Sequence, residues 1–262
     1  MRIFPKIEKK LRLGLKAKSA SFMLECLMEP SKICDFNYDG HKIFYRSNTY
    51  DIDVINEIFF RKGSRAEYYI NYKNLSPSVI FDIGGNIGLA AVYFAKLFPN
   101  AQIFTFEPMP ENFELLKKNI SCFKNIKGFN FGLGLSNGEF PIYSNVDQKN
   151  KGGFSLYQKN EQEHEKYCDV KITSVSEFLI ENNIEKIDLI KIDTEGAEHE
   201  IITAFPEEVL ENIKWITGEL HGNKDDDLMR YLSQWFYACY KDENQTGPNR
   251  NFIATNKKIK TS

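Results

Sequence analysis

Paired cysteines, a long apolar run and a large excess of one charge are all missing from this sequence. The five cysteines include no C-x-x-C pair, so neither a disulfide framework nor a zinc knuckle is predicted, and we expect reduced thiols in a cytoplasmic protein. The apolar stretch Phe22–Leu24 ends at Glu25, which is too short for a signal peptide or a transmembrane segment. A formal net charge of −2 gives no general attraction to nucleic acid. A small molecule is therefore the expected partner.

The chain length favours one large domain with a short N-terminal extension. With 262 residues, 42% of them hydrophobic, it is long enough for a single α/β core. The first twenty residues carry seven lysines and arginines against Glu8 alone. We interpret them as a basic helical arm that docks on its own domain or on a second copy in a homo-oligomer, with loose attachment to an anionic membrane surface as the alternative.

Two further elements follow the arm. Residues 32–47, KICDFNYDGHKIFYRS, alternate around a Tyr-Asp-Gly turn signal and predict a β-hairpin, and residues 51–63, DIDVINEIFFRKG, have helical spacing. We therefore divide the chain into residues 1–75, an N-terminal cap of helical arm, β-hairpin and helix, and residues 76–262, the main domain.

From Ser78 onward, short apolar strands alternate with helical segments. This order predicts an α/β fold with a doubly wound, mostly parallel sheet that is covered by helices on both faces. We predict IKGFNFG as one strand, residues 149–166 as a long polar loop, and FYACYKDE and NFIATN as a closing antiparallel pair. Sheets of this kind bind ligands beyond the carboxyl ends of their strands, where the strand order reverses. We expect the functional site at that edge.

The stretch VIFDIGGNIGLA, residues 79–90, runs a buried strand directly into a glycine-rich turn. Glycines there let a ligand approach the backbone, and the helix start that follows offers free N–H groups. Glu107 stands nineteen residues after Gly88, at the end of the next strand, where a carboxylate can accept hydrogen bonds from both hydroxyls of a ribose. The predicted cofactor-binding residues in these two segments are Asp82, Gly84, Gly85, Asn86, Gly88, Glu107, Pro108 and Met109.

A dinucleotide fits this loop poorly. The G-x-G-x-x-G fingerprint, started at Gly84, meets Asn86 and Leu89 where it needs its second and third glycines. Asp82 is an unfavourable neighbour for a pyrophosphate and a favourable one for a cation. S-adenosylmethionine carries an ammonium and a sulfonium and no phosphate, so we predict it as the cofactor. The rivals are an NAD-dependent oxidoreductase and a non-catalytic relative that binds a partner through its N-terminal arm.

Longer strings narrow this prediction. VIFDIGGNIGLAAVYFA, IFTFEPMPENFELLKKNI, IDLIKIDTEGAEHEII and ITGELHG occur in this order within roughly residues 45–222. Together they resemble the FkbM-type methyltransferase family, which has a Rossmann-like methyltransferase fold. One string departs from the family, because residues 173–176 read TSVS where a T-L-D string is usual.

The resemblance implies methyl transfer from S-adenosylmethionine, which becomes S-adenosylhomocysteine, most often to a hydroxyl of a sugar or a specialised metabolite. By this analogy we expect a cytoplasmic O-methyltransferase that acts on a nucleotide-linked sugar or a related precursor in the biosynthesis of a cell-surface polysaccharide such as a capsule. The alternative acceptor is a phosphate-type or other acidic oxygen.

Charged residues follow the fourth and fifth predicted strands of the main domain. In IDLIKID, Lys191 and Asp193 point to the same side of the strand, because side chains repeat every two residues. Glu195 and Glu198 are then predicted to begin a helix on one face, with Glu198 as a capping residue. One strand later, GELHG places His221 beside Glu219 at a strand end.

A hydroxyl acceptor must lose its proton during methyl transfer. His221 has the most suitable ordinary pKa for the general base, and Asp193 and Glu195 are alternative bases or orienting groups. The candidate catalytic residues are therefore His221, Asp193, Glu195 and Lys191. No metal ligands are predicted, since the acids of residues 225–227 are typical of a helix start; a divalent metal that lowers the pKa of the hydroxyl is the alternative to a protein base.

The rest of the predicted cofactor site lies at the third strand end. We expect the adenine near Phe131, Gly132 and Leu133, with Met109 as its other wall. Asp82 is expected near the cofactor's ammonium.

Overall fold

The computed structural model describes residues 13–16, 22, 31–63, 66–68, 75–143, 166–221, 224–241 and 250–259. Most of the predicted basic arm and nearly all of the polar loop 149–166 lie outside these residues, so both stay predictions. Among the described helices, none is both long enough and apolar enough to cross a membrane.

The predicted hairpin and helix near the N-terminus are confirmed. Strands β1 (Ile33–Tyr38) and β2 (His41–Arg46) pair antiparallel, and Asp39 and Gly40 between them both have positive φ, as in a type I′ turn. Helix α1 (Asp51–Ile55) continues as a π-helical turn through Phe60. The boundary at residue 75 stays a prediction, and the core side chains of the hairpin and α1 join one hydrophobic cluster with those of the main sheet.

The main sheet has seven strands: β3 (Val79–Ile83), β4 (Gln102–Phe106), β5 (Ile126–Phe129), β9 (Leu189–Ile192), β10 (Trp215–Leu220), β11 (Phe236–Tyr240) and β12 (Arg250–Asn256). They lie in the order β11-β12-β10-β9-β3-β4-β5. The pairs among β10, β9, β3, β4 and β5 are parallel, and β12 pairs antiparallel with β10 and β11. This confirms the doubly wound, mostly parallel sheet with a closing antiparallel pair.

Helices cover both faces of this sheet over two apolar clusters. Successive side chains of β3 point to opposite faces of the sheet, so Ile80 belongs to one cluster and Phe81 to the other. The order reverses at β3, which has β4 on one side and β9 on the other. The helices are α2 (Leu89–Leu97), α3 (Pro110–Ile120), α4 (Val175–Glu181), α5 (Glu198–Thr203), α6 (Glu207–Leu210) and α7 (Asp225–Leu232).

A second sheet of three strands corrects two predictions. The segment IKGFNFG is split into two strands. Its first part, β5, pairs with β4 as far as Phe129, and the Asn130 side chain then donates to the carbonyls of Glu107 and Pro108. The chain continues as β6 (Gly132–Gly134) in a separate sheet with β7 (Gly138–Tyr143) and β8 (Lys166–Ser174). Strand β8 was missed, since its residues follow directly on the polar run that predicted a loop.

Candidate active site

The glycine loop lies at the carboxyl end of β3, at the reversal of strand order. Gly84, Asn86 and Gly88 all have positive φ, which glycine adopts freely and asparagine tolerates. A Cβ on Gly84 would lie 1.8 Å from the backbone oxygen of Asp193, and one on Gly85 would lie 2.3 Å from Oγ1 of Thr105. These glycines therefore let the loop pack against its own protein, whereas the sequence suggested that they make room for a ligand.

Asp82 and Lys191 form a buried ion pair behind this loop. Nζ of Lys191 is 3.3 Å from Oδ1 of Asp82 and donates to the carbonyl of Gly84 at 2.6 Å, while Thr105 donates to the other oxygen of Asp82 at 2.8 Å. Burial alone lowers the pKa of Lys191, but the nearby charges of Asp82 and Asp193 outweigh burial and raise it. Asp82 is fully buried and lines neither cavity described below, so the structure places it where it holds the loop through Lys191.

Glu107 ends the next strand and binds the loop from the other side. Its carboxylate accepts hydrogen bonds from the backbone N–H of Asn86 at 2.7 Å and of Met109 at 2.9 Å, and from the side chain of Asn112 at 3.4 Å. Burial raises the pKa of Glu107 to about 7, although the hydrogen bonds oppose the shift. The carboxylate of Glu107 therefore orders the glycine loop and also faces the cavity beside the loop.

An apolar cavity opens next to Glu107. Met109 and Leu133 lie in its wall, together with Ile142 and Ile172 from the second sheet. Pro108 and Gly132, two predicted cofactor-binding residues, also line it. Phe131 does not: its ring packs against the aromatic rings of Phe106, Phe129 and Phe178.

A second cavity, the acid cavity, adjoins the first. Gly84, Glu107, Asp193 and Glu195 line both, so the two spaces meet at these residues. The remaining walls of the acid cavity come from helix α1 and the ends of β3 and β10: Tyr50, Asp51, Val54, Asn86, Glu219 and His221.

Glu195 lies in the turn before α5 and not in the helix. Its φ is +57°, and α5 begins only at Glu198, so the prediction that both acids begin the helix is wrong for Glu195. Burial and the neighbouring charge of Asp193 raise the pKa of Glu195 to about 7 against the opposing effect of His221. The turn directs an acid toward both cavities at the cost of an unfavourable backbone conformation.

His221 is held by Glu198, a contact that sequence reasoning missed. Nδ1 of His221 lies 3.2 Å from Oε1 of Glu198, and the same oxygen accepts from the backbone N–H of Thr194 and Gly196. Glu198 thus holds the turn that precedes α5 and also orients the imidazole, whereas the sequence predicted it as a cap of the helix itself. The spacing of three residues between Glu195 and Glu198 did not indicate the contact with His221, since His221 follows a different strand, β10.

The charge of His221 differs from the expectation. Burial lowers its pKa, but the hydrogen bond to Glu198 and the charges of Asp193 and Glu195 outweigh burial and raise the pKa to about 10. An imidazolium has no lone pair to accept a proton. With this geometry His221 is therefore a cation at neutral pH, and not the neutral base for which its ordinary pKa suited it.

Comparison with known proteins places this chain in a family. Residues 82–239 match the model of the methyltransferase FkbM domain. Methyltransferase sdnD of Sordaria araneosa is 29% identical over 66% of this chain and 78% of its own length. Hexuronic acid methyltransferase AglP of Haloferax volcanii is 26% identical over 60% of this chain and 62% of its own, and 2-O-methyltransferase NoeI of Sinorhizobium fredii is 30% identical over 49% and 58%. The matched segment spans more than half of the chain and contains the glycine loop, Glu107 and His221, so this chain is a methyltransferase and belongs to the FkbM family.

Proposed function

We propose that the chain transfers a methyl group from S-adenosylmethionine to a hydroxyl of a sugar or a related small molecule. The observation that carries this proposal is the pair of adjoining cavities. One is mostly apolar and suits a flat base, the other is lined by carboxylates and an imidazole, and they meet at Gly84, Glu107, Asp193 and Glu195.

The residues present fit the methyl donor. Met109 and Leu133 would enclose the adenine, and Glu107 would accept hydrogen bonds from the ribose hydroxyls. The methionine part would follow the glycine loop into the region shared by both cavities. Asp82 is expected to act through Lys191 and the loop, without contact to the ammonium, since it is buried behind them.

The chemistry is an in-line displacement. S-adenosylmethionine supplies a methyl carbon on a sulfonium, so the acceptor oxygen forms the new C–O bond while the C–S bond breaks and leaves its electron pair on sulfur. The protein must align the two reactants, exclude water and receive the hydroxyl proton. Glu107, Asp193 and Glu195 are the acidic side chains that line both cavities. Since Glu107 is assigned to the ribose, we place the proton acceptor at Asp193 or Glu195.

A sugar is the acceptor class that the comparisons support. The names of AglP and NoeI specify a hexuronic acid and a 2-O-methyl transfer for those proteins. Carboxylates are common hydrogen-bond acceptors for sugar hydroxyls. The alternative phosphate-type acceptor is less favoured, because the described lining of the acid cavity contains no lysine or arginine to bind an anion.

Methyl transfer can be tested directly with S-adenosylmethionine labelled in the methyl group. We expect label in one or more nucleotide-linked sugars from a panel and none in sugar-free phosphates, with Glu208→Gln, an exposed change on α6, retaining wild-type activity. Label in a phosphate ester would show that the acceptor is a phosphate-type oxygen and not a sugar hydroxyl. No S-adenosylmethionine binding by calorimetry would contradict the proposal as a whole.

A further inference from the structure

A histidine and two carboxylates converge in the acid cavity from neighbouring strands. Asp193 follows β9, Glu219 lies on β10 and His221 follows β10. Nε2 of His221 is 3.9 Å from Oδ1 of Asp193 and 3.7 Å from Oε2 of Glu219, and one ligand atom from each residue lies within 4.8 Å of the others. Donors around one divalent ion, bound at about 2.0–2.2 Å, stand roughly 3–4 Å apart. Small side-chain adjustments would bring all three into coordination distance.

The orientation of His221 also suits a metal ligand. Its Nδ1 donates to Glu198, which leaves Nε2 facing the two carboxylates. A metal ion bound at Nε2 would displace the proton that this nitrogen carries in the metal-free protein. Glu198 is itself fixed by the backbone N–H groups of Thr194 and Gly196. Histidine ligands in metal sites regularly donate their second ring nitrogen to such a carboxylate, which sets the ring orientation.

The charge around this cluster favours a cation. The acidic residues of the cavity wall outnumber its basic ones, because His221 is the single basic side chain in the described lining. Two nearby cations have carboxylate partners outside the cluster: Arg46 pairs with Asp51, and Lys191 pairs with Asp82 although the charge of Asp193 also acts on it. The carboxylates in the wall of the cavity are Asp51, Glu107, Asp193, Glu195 and Glu219.

We propose that Asp193, Glu219 and His221 bind one divalent transition-metal ion. Two carboxylate oxygens and one imidazole nitrogen form a mixed set that suits ions such as Mn²⁺ or Fe²⁺ better than Ca²⁺, which prefers oxygen ligands only. Three protein ligands leave coordination positions open toward the cavity. If the proposed function is correct, the ion would also lower the pKa of an acceptor hydroxyl that reaches it, and Glu195 would be the carboxylate left to receive the proton.

Binding of Mn²⁺ to the chelator-treated full chain tests this site without any methyl donor. Electron paramagnetic resonance measures the loss of the free Mn²⁺ signal, and we expect one ion per chain. Glu219→Gln and His221→Ala should abolish this binding. Glu198→Gln, which removes no proposed ligand but weakens the contact that orients His221, should weaken it by roughly 10- to 100-fold. Glu208→Gln is the matched control, since it removes one exposed carboxylate far from the cluster and should bind as the wild type does.

A second measurement separates loss of the site from loss of the fold. Mn²⁺ should raise the Tm of the wild type and of Glu208→Gln but not of Glu219→Gln, whose own metal-free Tm should stay near that of the wild type. Mn²⁺ binding that is absent from the wild type, or unchanged in Glu219→Gln and His221→Ala, would overturn the proposal. Methyl transfer by a wild-type chain that binds no added Mn²⁺ would overturn the metal site and leave the proposed function intact.

Discussion

Glu107 is the residue at which the loop and the proposed cofactor site depend on one another. Its carboxylate holds the N–H groups of Asn86 and Met109 while it lines both cavities. Burial favours the protonated form, so the pKa of Glu107 rises to about 7, and the carboxylate that we propose binds two ribose hydroxyls forms as the pH passes this value.

The affinity for S-adenosylhomocysteine should therefore depend on pH. Since a carboxylate binds both ribose hydroxyls better than a carboxylic acid does, raising the pH from 6 to 8 should lower Kd by about tenfold, as expected for ionisation near pH 7. Glu107→Gln should bind more weakly and lose this pH dependence, whereas Glu114→Gln, an exposed change on α3, should keep it. Calorimetry at a series of pH values measures both effects. A wild-type pH profile in Glu107→Gln would assign the titration to another group.

The β-hairpin is joined to α1 and α3 by buried polar contacts. Arg46, at the end of β2, contacts Asp51 through two hydrogen bonds of 2.8 Å and donates to the side chain of Asn112 on α3 at 2.8 Å. Asn119 on α3 also exchanges hydrogen bonds with the backbone of Phe44. These contacts hold the start of α1, and with it one wall of the acid cavity, against the main domain.

Removing Arg46 should destabilise the protein far more than removing an exposed arginine. Arg46→Ala leaves the carboxylate of Asp51 buried without its cation, which typically costs about 3–5 kcal/mol in the free energy of unfolding. Arg61→Ala breaks an i,i+4 pair with Glu57 near the surface and should cost about 0.3–0.5 kcal/mol. Urea denaturation of the two variants measures the difference. Equal, small losses would mean that Arg46 does not hold the hairpin.

At the scale of the whole molecule, the site is assembled from segments far apart in the chain. The reversal of strand order at β3 brings the loop after β3 beside the ends of β9 and β10, and the hairpin and α1 complete the wall. A ligand in the two cavities would contact many of these segments at once. It should therefore stabilise the folded chain as a whole.

S-adenosylhomocysteine should raise the Tm, and NADH should not. At a ligand concentration 100 times Kd the stabilisation is about 2.7 kcal/mol, which for a chain of this size corresponds to roughly 5–10 °C. The glycine loop lacks the glycines of a dinucleotide site, so NADH at the same concentration should leave the Tm unchanged. Thermal unfolding with each ligand provides the comparison. A rise with NADH alone would favour the oxidoreductase alternative.

The sequence by itself determined the local elements and the edge of the sheet at which the site lies. Alternating and helical periodicities depend on neighbouring residues, so the hairpin, the parallel strands and the closing pair were predictable. Parallel strands end at a common edge, which placed Glu107, Asp193 and His221 in one region before their contacts were known. The split after Phe129 was not predictable, because it depends on contacts of Asn130 with residues 107 and 108. Strand β8 had a local signal that was missed, since Cys168, Val170 and Ile172 alternate with polar residues.

Only the tertiary structure decided which of these residues touch. Asp82 meets Lys191, Gly84 packs on the backbone of Asp193, and Glu198 orients His221, each across two strands or turns that are distant in the chain. These contacts follow from the order of strands in the sheet, which local periodicity does not encode. The charge of His221 depends on them as well, since its ordinary pKa describes an imidazole in water and its actual pKa reflects the carboxylates that the fold brings around it.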